Sequence, residues 1–336
     1  MHQKLTSTLS QYDKIVLVGG GTGGHIQPIV SLVHSLDIES NNYLWIGGAD
    51  STEEKTAKEN DIEFQSIPTL KLETTRSWRS LLYPFYTIAG FWRARQILQV
   101  QEKTEENIAV FSKGGPGSVA IGLAAWSLYI PLHIHESDTV PGRSNKILAK
   151  FANTIFLGFA SAGKYFDTKK CEIVGQILDP MFEGQVSSIK HKIEWKTSKK
   201  HILVICGSQG SRAIFEEIVK NYAGNDEYEW IISLGKLNTR MKKNFEKIPD
   251  CQALEWIAQI DIAHLIQDTD LAITRGSATT LAELTAFQSV KLVIIPLPYS
   301  AGNHQYYNAL EYEKMGHRVL EQKNLHQLTE TIQYNV

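Results

Sequence analysis

The sequence predicts an α/β protein built from two Rossmann-like, doubly wound parallel-sheet domains. Three observations carry this. Short Val- and Ile-rich runs alternate with helical stretches along most of the chain, and such alternation gives parallel strands joined by right-handed crossovers. The series strand, glycine loop, helix opens twice, near Lys14 and again near His201. The length, 336 residues, suits two domains at a prior of ~150 residues each. We place the domains at 1–176 and 177–336 and expect the ligand in a cleft between them.

Lys14–Val18 reads as the first buried strand, followed by a glycine loop and a helix from Pro28 to about Leu36. A proline in the first helical turn sacrifices no hydrogen bond. Tyr43–Gly48, Ile108–Ser112, Leu132–His135, Thr154–Phe159 and the short Glu172–Gly175 are the further strands of the first half. Gly184–Lys200 is polar and lysine-rich and reads as a connecting segment. His201–Cys206, Glu229–Leu234, Leu271–Thr274 and Lys291–Pro296 are the strands of the second half.

Composition removes several function classes. The formal net charge is −2, and neither half is strongly charged, so bulk electrostatic binding of nucleic acid is not expected. Three widely spaced cysteines (Cys171, Cys206, Cys251) form no Cys-x-x-Cys pair, which argues against a disulfide framework or structural zinc and for a reducing compartment. The polar N-terminus lacks the apolar core of a signal peptide. No apolar run reaches the ~18–20 residues of a membrane span; Ser80–Trp92 is broken by Pro84 and Ser118–Leu132 by Pro131.

The polar chemistry gathers in loops that follow strands, where open α/β sheets bind ligands. Gly19–His25 holds five glycines in a seven-residue stretch before a helix, a place for close backbone approach and for anions at a helix start. It matches neither the dinucleotide fingerprint nor a P-loop. His25 ends that loop and suits a general base, with a helix cap as the bland alternative. Lys113–Ser118 is a second glycine loop. His135-Glu136-Ser137-Asp138 follows the next strand, and either His135 or Glu136 could instead satisfy buried backbone. Cys206–Ser211 suits a diphosphate. In Thr274–Leu284, Glu283 lies one turn after Thr279 and Thr280 and could accept from a ribose diol, or simply favour the helix dipole. Asn303–Asn308 gathers amides and aromatics suited to sugar hydroxyls. Asp268-Thr269-Asp270 has a metal-binding form but reads as a helix–strand turn, and no metal is expected.

Six segments in this order, GGGTGGHIQP, FSKGGPGSVAIGLAAWSLYIP, HESDTVPGRSNKILAKFA, GSQGSRAIF, TRGSATTLAEL and NHQYYNALEYEKMG, make the chain resemble the MurG-type glycosyltransferases over almost its whole length. The resemblance implies a GT-B architecture. It implies inverting transfer of N-acetylglucosamine from UDP-N-acetylglucosamine to the muramyl 4-hydroxyl of lipid I, giving the peptidoglycan precursor lipid II at the inner face of the cytoplasmic membrane, with no cofactor besides that substrate. Carried onto this chain, Thr22, Gly23 and Gly24 would contact the substrates and His25 would be the base, with Glu136 as a second catalytic candidate and Asp138 in the donor-binding set. Ser208 would bind phosphate and Ile257 the uracil through its backbone. Ala278, Thr279, Thr280, Leu281, Ala282 and Glu283 would hold the nucleotide, and Gln305 and Asn308 the sugar. Pro116 stands where an aromatic is usual, and Asp179 where an arginine is expected, so Asp179 should sit away from the phosphates. The alternatives are another UDP-sugar enzyme of this architecture, such as an epimerase, or a non-catalytic nucleotide-sugar-binding homologue.

Residues 76–95 read RSWRSLLYPFYTIAGFWRAR, with four arginines and no acid. An apolar, aromatic segment flanked by cations suits an anionic bilayer surface, with Arg76, Trp78, Arg79, Leu82, Phe85, Trp92, Arg93 and Arg95 as contacts. The alternative is that the aromatics belong to the domain core.

Overall fold

The structure, a computed structural model, describes residues 3–36, 42–70, 82–105, 107–184, 192–287 and 289–336. The chain divides into two compact units, Met1–Asp179 and Pro180–Val336, slightly later than the expected boundary. Arg76, Trp78 and Arg79 lie outside the described residues.

Unit 1 runs α1 (Gln3–Leu9), β1 (Lys14–Gly19), α2 (Gly23–Leu36), β2 (Tyr43–Gly48), α3 (Thr52–Glu59), β3 (Glu63–Ile67), α4 (Tyr83–Thr104), β4 (Ile108–Gly114), α5 (Ser118–Ser127), β5 (Leu132–Glu136), α6 (Arg143–Leu148), β6 (Thr154–Leu157) and β7 (Cys171–Ile173). Its seven strands lie in the order β3-β2-β1-β4-β5-β6-β7, every pair parallel. Both faces are covered. Val16, Val18, Leu44 and Val110 face one apolar cluster with α4 and α5, while Ile15, Leu17, Trp45 and Phe111 face another with α1 and α2. This is why the strands read as unbroken apolar runs.

Unit 2 runs β8 (Lys200–Ile205), α7 (Arg212–Tyr222), β9 (Tyr228–Ser233), α8 (Lys242–Phe245), β10 (Cys251–Leu254), α9 (Gln259–Leu265), β11 (Leu271–Thr274), α10 (Ala278–Leu284), β12 (Lys291–Ile294), α11 (His304–Glu313), β13 (Arg318–Val319) and α12 (Leu328–Asn335). Its six strands lie in the order β10-β9-β8-β11-β12-β13. In both sheets the order reverses beside the unit's first strand, between β1 and β4 and between β8 and β11. The two glycine loops therefore sit at topological switch points, where such sheets place ligands.

One local expectation is corrected. α2 begins at Gly23, not Pro28: the Thr22 carbonyl accepts from His25 N–H (3.0 Å) and Ile26 N–H (3.2 Å). Pro28 lies inside the helix and leaves the Gly24 carbonyl without its ladder donor. The polar N-terminus forms α1, because Leu5 and Leu9 fall on one helical face and are buried. The connecting segment from Lys192 to Lys199 is held to unit 2 through its backbone. Asp261 accepts from Lys192 N–H at 2.6 Å, and Glu229 accepts from Lys196 N–H at 2.7 Å and Thr197 N–H at 2.8 Å.

Candidate functional site

Unit 1 presents two glycine loops that touch backbone to backbone. Gly115 has φ +95°, and a Cβ there would stand 2.5 Å from the Gly20 carbonyl oxygen, so only glycine lets the loop after β4 lie against the loop after β1. A Cβ on Gly23 would meet nothing within 4 Å. Thr22, Gly23 and Gly24 are all exposed. Packing within the protein therefore does not explain a glycine at Gly23, and the space above it is open for a ligand.

His25 is half-buried at the start of α2, and its Nδ1 lies 3.1 Å from the Gly20 carbonyl oxygen. A carbonyl only accepts, so Nδ1 carries the proton and the neutral ring has its lone pair on Nε2. That is the tautomer a general base needs at Nε2.

Glu136 is differently placed. It is 3% exposed, and its carboxylate accepts from Asp138 N–H (2.9 Å), Gly142 N–H (3.1 Å) and Asn145 Nδ2 (2.9 Å). Burial first, and then the Asp138 charge, push its pKa up to about 7, against these hydrogen bonds and Lys113. In this structure the carboxylate organises the loop from Asp138 to Gly142. Beneath it, Lys113 is buried and donates to His135 Nδ1 and Ser137 Oγ, both at 2.5 Å. Burial lowers its pKa to about 8, opposed by Glu136 and Asp138. Asp138 is half-buried on the same loop.

In unit 2 the loop after β8 carries an exposed Ser208. Gly210 has φ +71°, and a Cβ there would land on the Leu234 carbonyl oxygen in the loop after β9. Ser211 precedes α7 but makes no side-chain cap. Its hydroxyl instead accepts from Arg275 Nη2 at 2.6 Å, so the Ser211 side chain occupies none of the first-turn N–H groups of α7. Such a helix start attracts phosphate. Arg275 is buried and also donates to the carbonyls of Ile295 (3.0 Å) and Pro296 (3.3 Å) and to Gln322 Oε1 (2.8 Å). Cys206 in the same loop is no nucleophile, since burial drives its thiol up to about 12.

Glu283 is mostly buried on α10 and accepts from Gln259 Nε2 at 2.8 Å. Ala278, Thr279 and Leu281 are buried, whereas Thr280 and Ala282 are half-buried. Leu281 is 0% exposed, so its side chain belongs to the core. Asn308 is also fully buried, with Nδ2 on the Gly276 carbonyl at 3.1 Å. Its amide holds α11 against the Thr274–Gly276 turn. Gln305 Oε1 accepts from Leu297 N–H at 3.0 Å. Ile257 is buried, but next to it Trp256 is 57% exposed, an aromatic beside the expected uracil position that the sequence reading passed over. Among the described residues no group of three or more His, Cys, Asp or Glu is arranged to hold a metal ion. Asp270 accepts from Lys200 Nζ and His201 N–H (2.8 and 2.9 Å), as a helix–strand turn.

Residues 15–157 match the model of the glycosyltransferase family 28 N-terminal domain, and residues 201–335 that of its C-terminal domain. The chain belongs to this glycosyltransferase family. A relative from Halothermothrix orenii is 32% identical over 318 residues, covering 90% of this chain and 84% of its own. One from Shouchella clausii is 30% identical over 334 residues, covering 96% and 90%. Both are named UDP-N-acetylglucosamine–N-acetylmuramyl-(pentapeptide) pyrophosphoryl-undecaprenol N-acetylglucosamine transferase. The crystal structure of Acinetobacter baumannii MurG superposes with a TM-score of 0.72 at 22% identity, covering 95% of this chain and 90% of that one. The fold is GT-B.

For this glycosyltransferase, Asp179 is the position where an arginine was expected. Its carboxylate takes a 2.6 Å hydrogen bond from His34 Nδ1 at the end of α2 and is 5% exposed. Asp179 thus anchors the last residues of unit 1 to α2, the helix that carries His25 in its first turn.

Proposed function

We propose that this chain transfers N-acetylglucosamine from UDP-N-acetylglucosamine to the muramyl 4-hydroxyl of lipid I, with inversion, to give lipid II. The observation that carries the reading is His25, held by the Gly20 carbonyl in the tautomer that accepts a proton at Nε2. The acceptor oxygen forms its bond to the anomeric carbon as its proton passes to Nε2. The bond from that carbon to the β-phosphate oxygen breaks, and its electron pair leaves on UDP. The helix start behind Ser208 receives the departing diphosphate charge, and Glu283 holds the ribose. The donor carries its own leaving group, so the step needs no resident cofactor.

The acceptor is a lipid, and α4 suits the surface on which it resides. Phe85, Ile88 and Trp92, spaced along one helical face, are 69%, 58% and 59% exposed. Arg93 is exposed beside them. Arg95 is not available in the expected way, because it bonds to the Ser127 carbonyl and hydroxyl on α5 (3.2 and 2.6 Å). On α6, Arg143 and Lys146 are exposed, as is Lys150 just beyond it. We place this face on an anionic membrane at its cytoplasmic side. No helix among the described residues is long and apolar enough to cross a membrane.

The test supplies radiolabelled UDP-N-acetylglucosamine and a short-chain lipid I analogue. Label in a disaccharide lipid supports the proposal. Binding of UDP without transfer favours a non-catalytic homologue, and conversion of the donor without acceptor favours an epimerase. Anionic liposomes should sediment the chain less as salt rises, and a Phe85/Ile88/Trp92→Ser variant should stay in solution. Equal sedimentation would remove α4 from the membrane contact.

A further inference from the structure

Glu53 belongs to none of the glycine motifs, yet its carboxylate lies against the loop that presents His25. It sits in the first turn of α3, behind the Ser51 cap, where the helix dipole favours an anion. It is 4% exposed. Oε2 accepts from Gly21 N–H at 3.3 Å, and Oε1 from Gly48 N–H at 3.5 Å. Glycines make the room: a Cβ on Gly20 would come within 2.5 Å of Oε1, and one on Gly47 within 2.9 Å of Glu53 Cγ.

The Gly21 N–H and the Gly20 carbonyl belong to one peptide group. Its N–H end meets the Glu53 carboxylate, and its carbonyl end takes the His25 Nδ1–H at 3.1 Å. Carboxylate, peptide and imidazole form one hydrogen-bonded chain. We propose that Glu53 is a positioning residue for the transfer, acting on His25 through the Gly20–Gly21 peptide.

The inference rests on the reading of His25 as the base. An anion at the N–H end polarises the peptide and makes its carbonyl a stronger acceptor. When the acceptor hydroxyl gives its proton to Nε2 and its oxygen bonds to the anomeric carbon, the ring becomes positive. The bond from Nδ1–H to Gly20 then strengthens as a charge-assisted one. Later, the ring returns that proton to water. Because the gain falls in the transition state, it belongs to kcat rather than to substrate binding.

The decisive variant is Glu53→Gln, which keeps the size and removes the charge. We expect kcat to fall roughly three- to thirtyfold, less than the ~10²–10⁴-fold of a general base. Both KM values should stay within about twofold. In a His25→Ala background the same change should cost no further kcat, since two residues acting as one chain are non-additive. Glu53→Asp, which keeps the charge, should recover part of the rate. A second readout needs no activity: ¹⁵N NMR of the histidine rings in the full chain should show His25 as the Nδ1–H tautomer, with the Nε2–H form gaining in Glu53→Gln. Unchanged kcat, an equal fall in the His25→Ala background, or a wild-type ring protonated at Nε2 would overturn the inference. Should Glu53→Gln melt before assay, Glu53→Asp and the wild-type ring state decide. A wild type that makes no disaccharide lipid would sink the proposed function, while the ring tautomer would still judge Glu53.

Discussion

The loops at the two switch points use one backbone device with opposite charges around it. In unit 1 the loop after β1 meets the loop after β4 at Gly20 and Gly115, and the group buried against it is the Glu53 carboxylate. In unit 2 the loop after β8 meets the loop after β9 at Gly210 and Leu234, and the buried group beside it is the Arg275 guanidinium on Ser211. The charges match the chemistry proposed for each loop. An anion supports a histidine that becomes positive, and a cation supports a helix start that receives a diphosphate. The backbone contact is common to both units, and the ion buried beside it differs.

Four measurements would break or sharpen this contrast. The largest effect is expected from His25→Ala, which should lower kcat ~10²–10⁴-fold and leave UDP affinity at the unit 2 loop nearly intact. A variant with wild-type turnover would remove His25 from the mechanism and shift attention to Glu136 or Asp138.

Next come the glycines at the two loop contacts. Gly115→Ala and Gly210→Ala each place a side chain at positive φ against a neighbouring carbonyl, and each should cost about 1–3 kcal/mol of stability in thermal unfolding. Steady-state kinetics should separate them: the first variant loses kcat, the second raises the KM for the donor. If both variants moved the same constant, the division of labour between the loops would fail.

An effect of similar size is expected from Glu283→Ala. A hydrogen bond to a charged group contributes roughly 1.5–3 kcal/mol, so calorimetry should show UDP binding weakened about tenfold or more. Unchanged affinity would place Glu283 in a structural helix turn, bonded to Gln259.

The smallest effect concerns the far end of α2. The hydrogen bond to Asp179 raises the His34 pKa above 6.5, against partial burial. A raised folded-state pKa means that the pair stabilises unit 1 fully below pH 6.5, and that this contribution fades as pH rises through the folded value. His34→Gln should therefore show its deficit in Tm on the acid side and converge with wild type at alkaline pH. A deficit that grew with pH would contradict this sign.

The central strands and both glycine loops were legible in the sequence, because strands covered on both faces must be apolar at every position. Leu271–Thr274 and Tyr43–Gly48 fall where they were expected. The edge strands β3, β10 and β13 were not. Glu63 and Arg318 are exposed and β13 has only two residues, so no apolar run announces them. That His25 and Ser208 lie in the loops after the first strand of each unit was legible, because a strand, a glycine loop and a helix stand in series there. The fate of Glu136, Asn308, Asp179 and Glu53 was not, since each depends on partners distant in sequence or on a loop closed by folding. A buried polar group must find such partners, and only the tertiary structure decides whether a carboxylate near a loop faces substrate or holds the backbone that does.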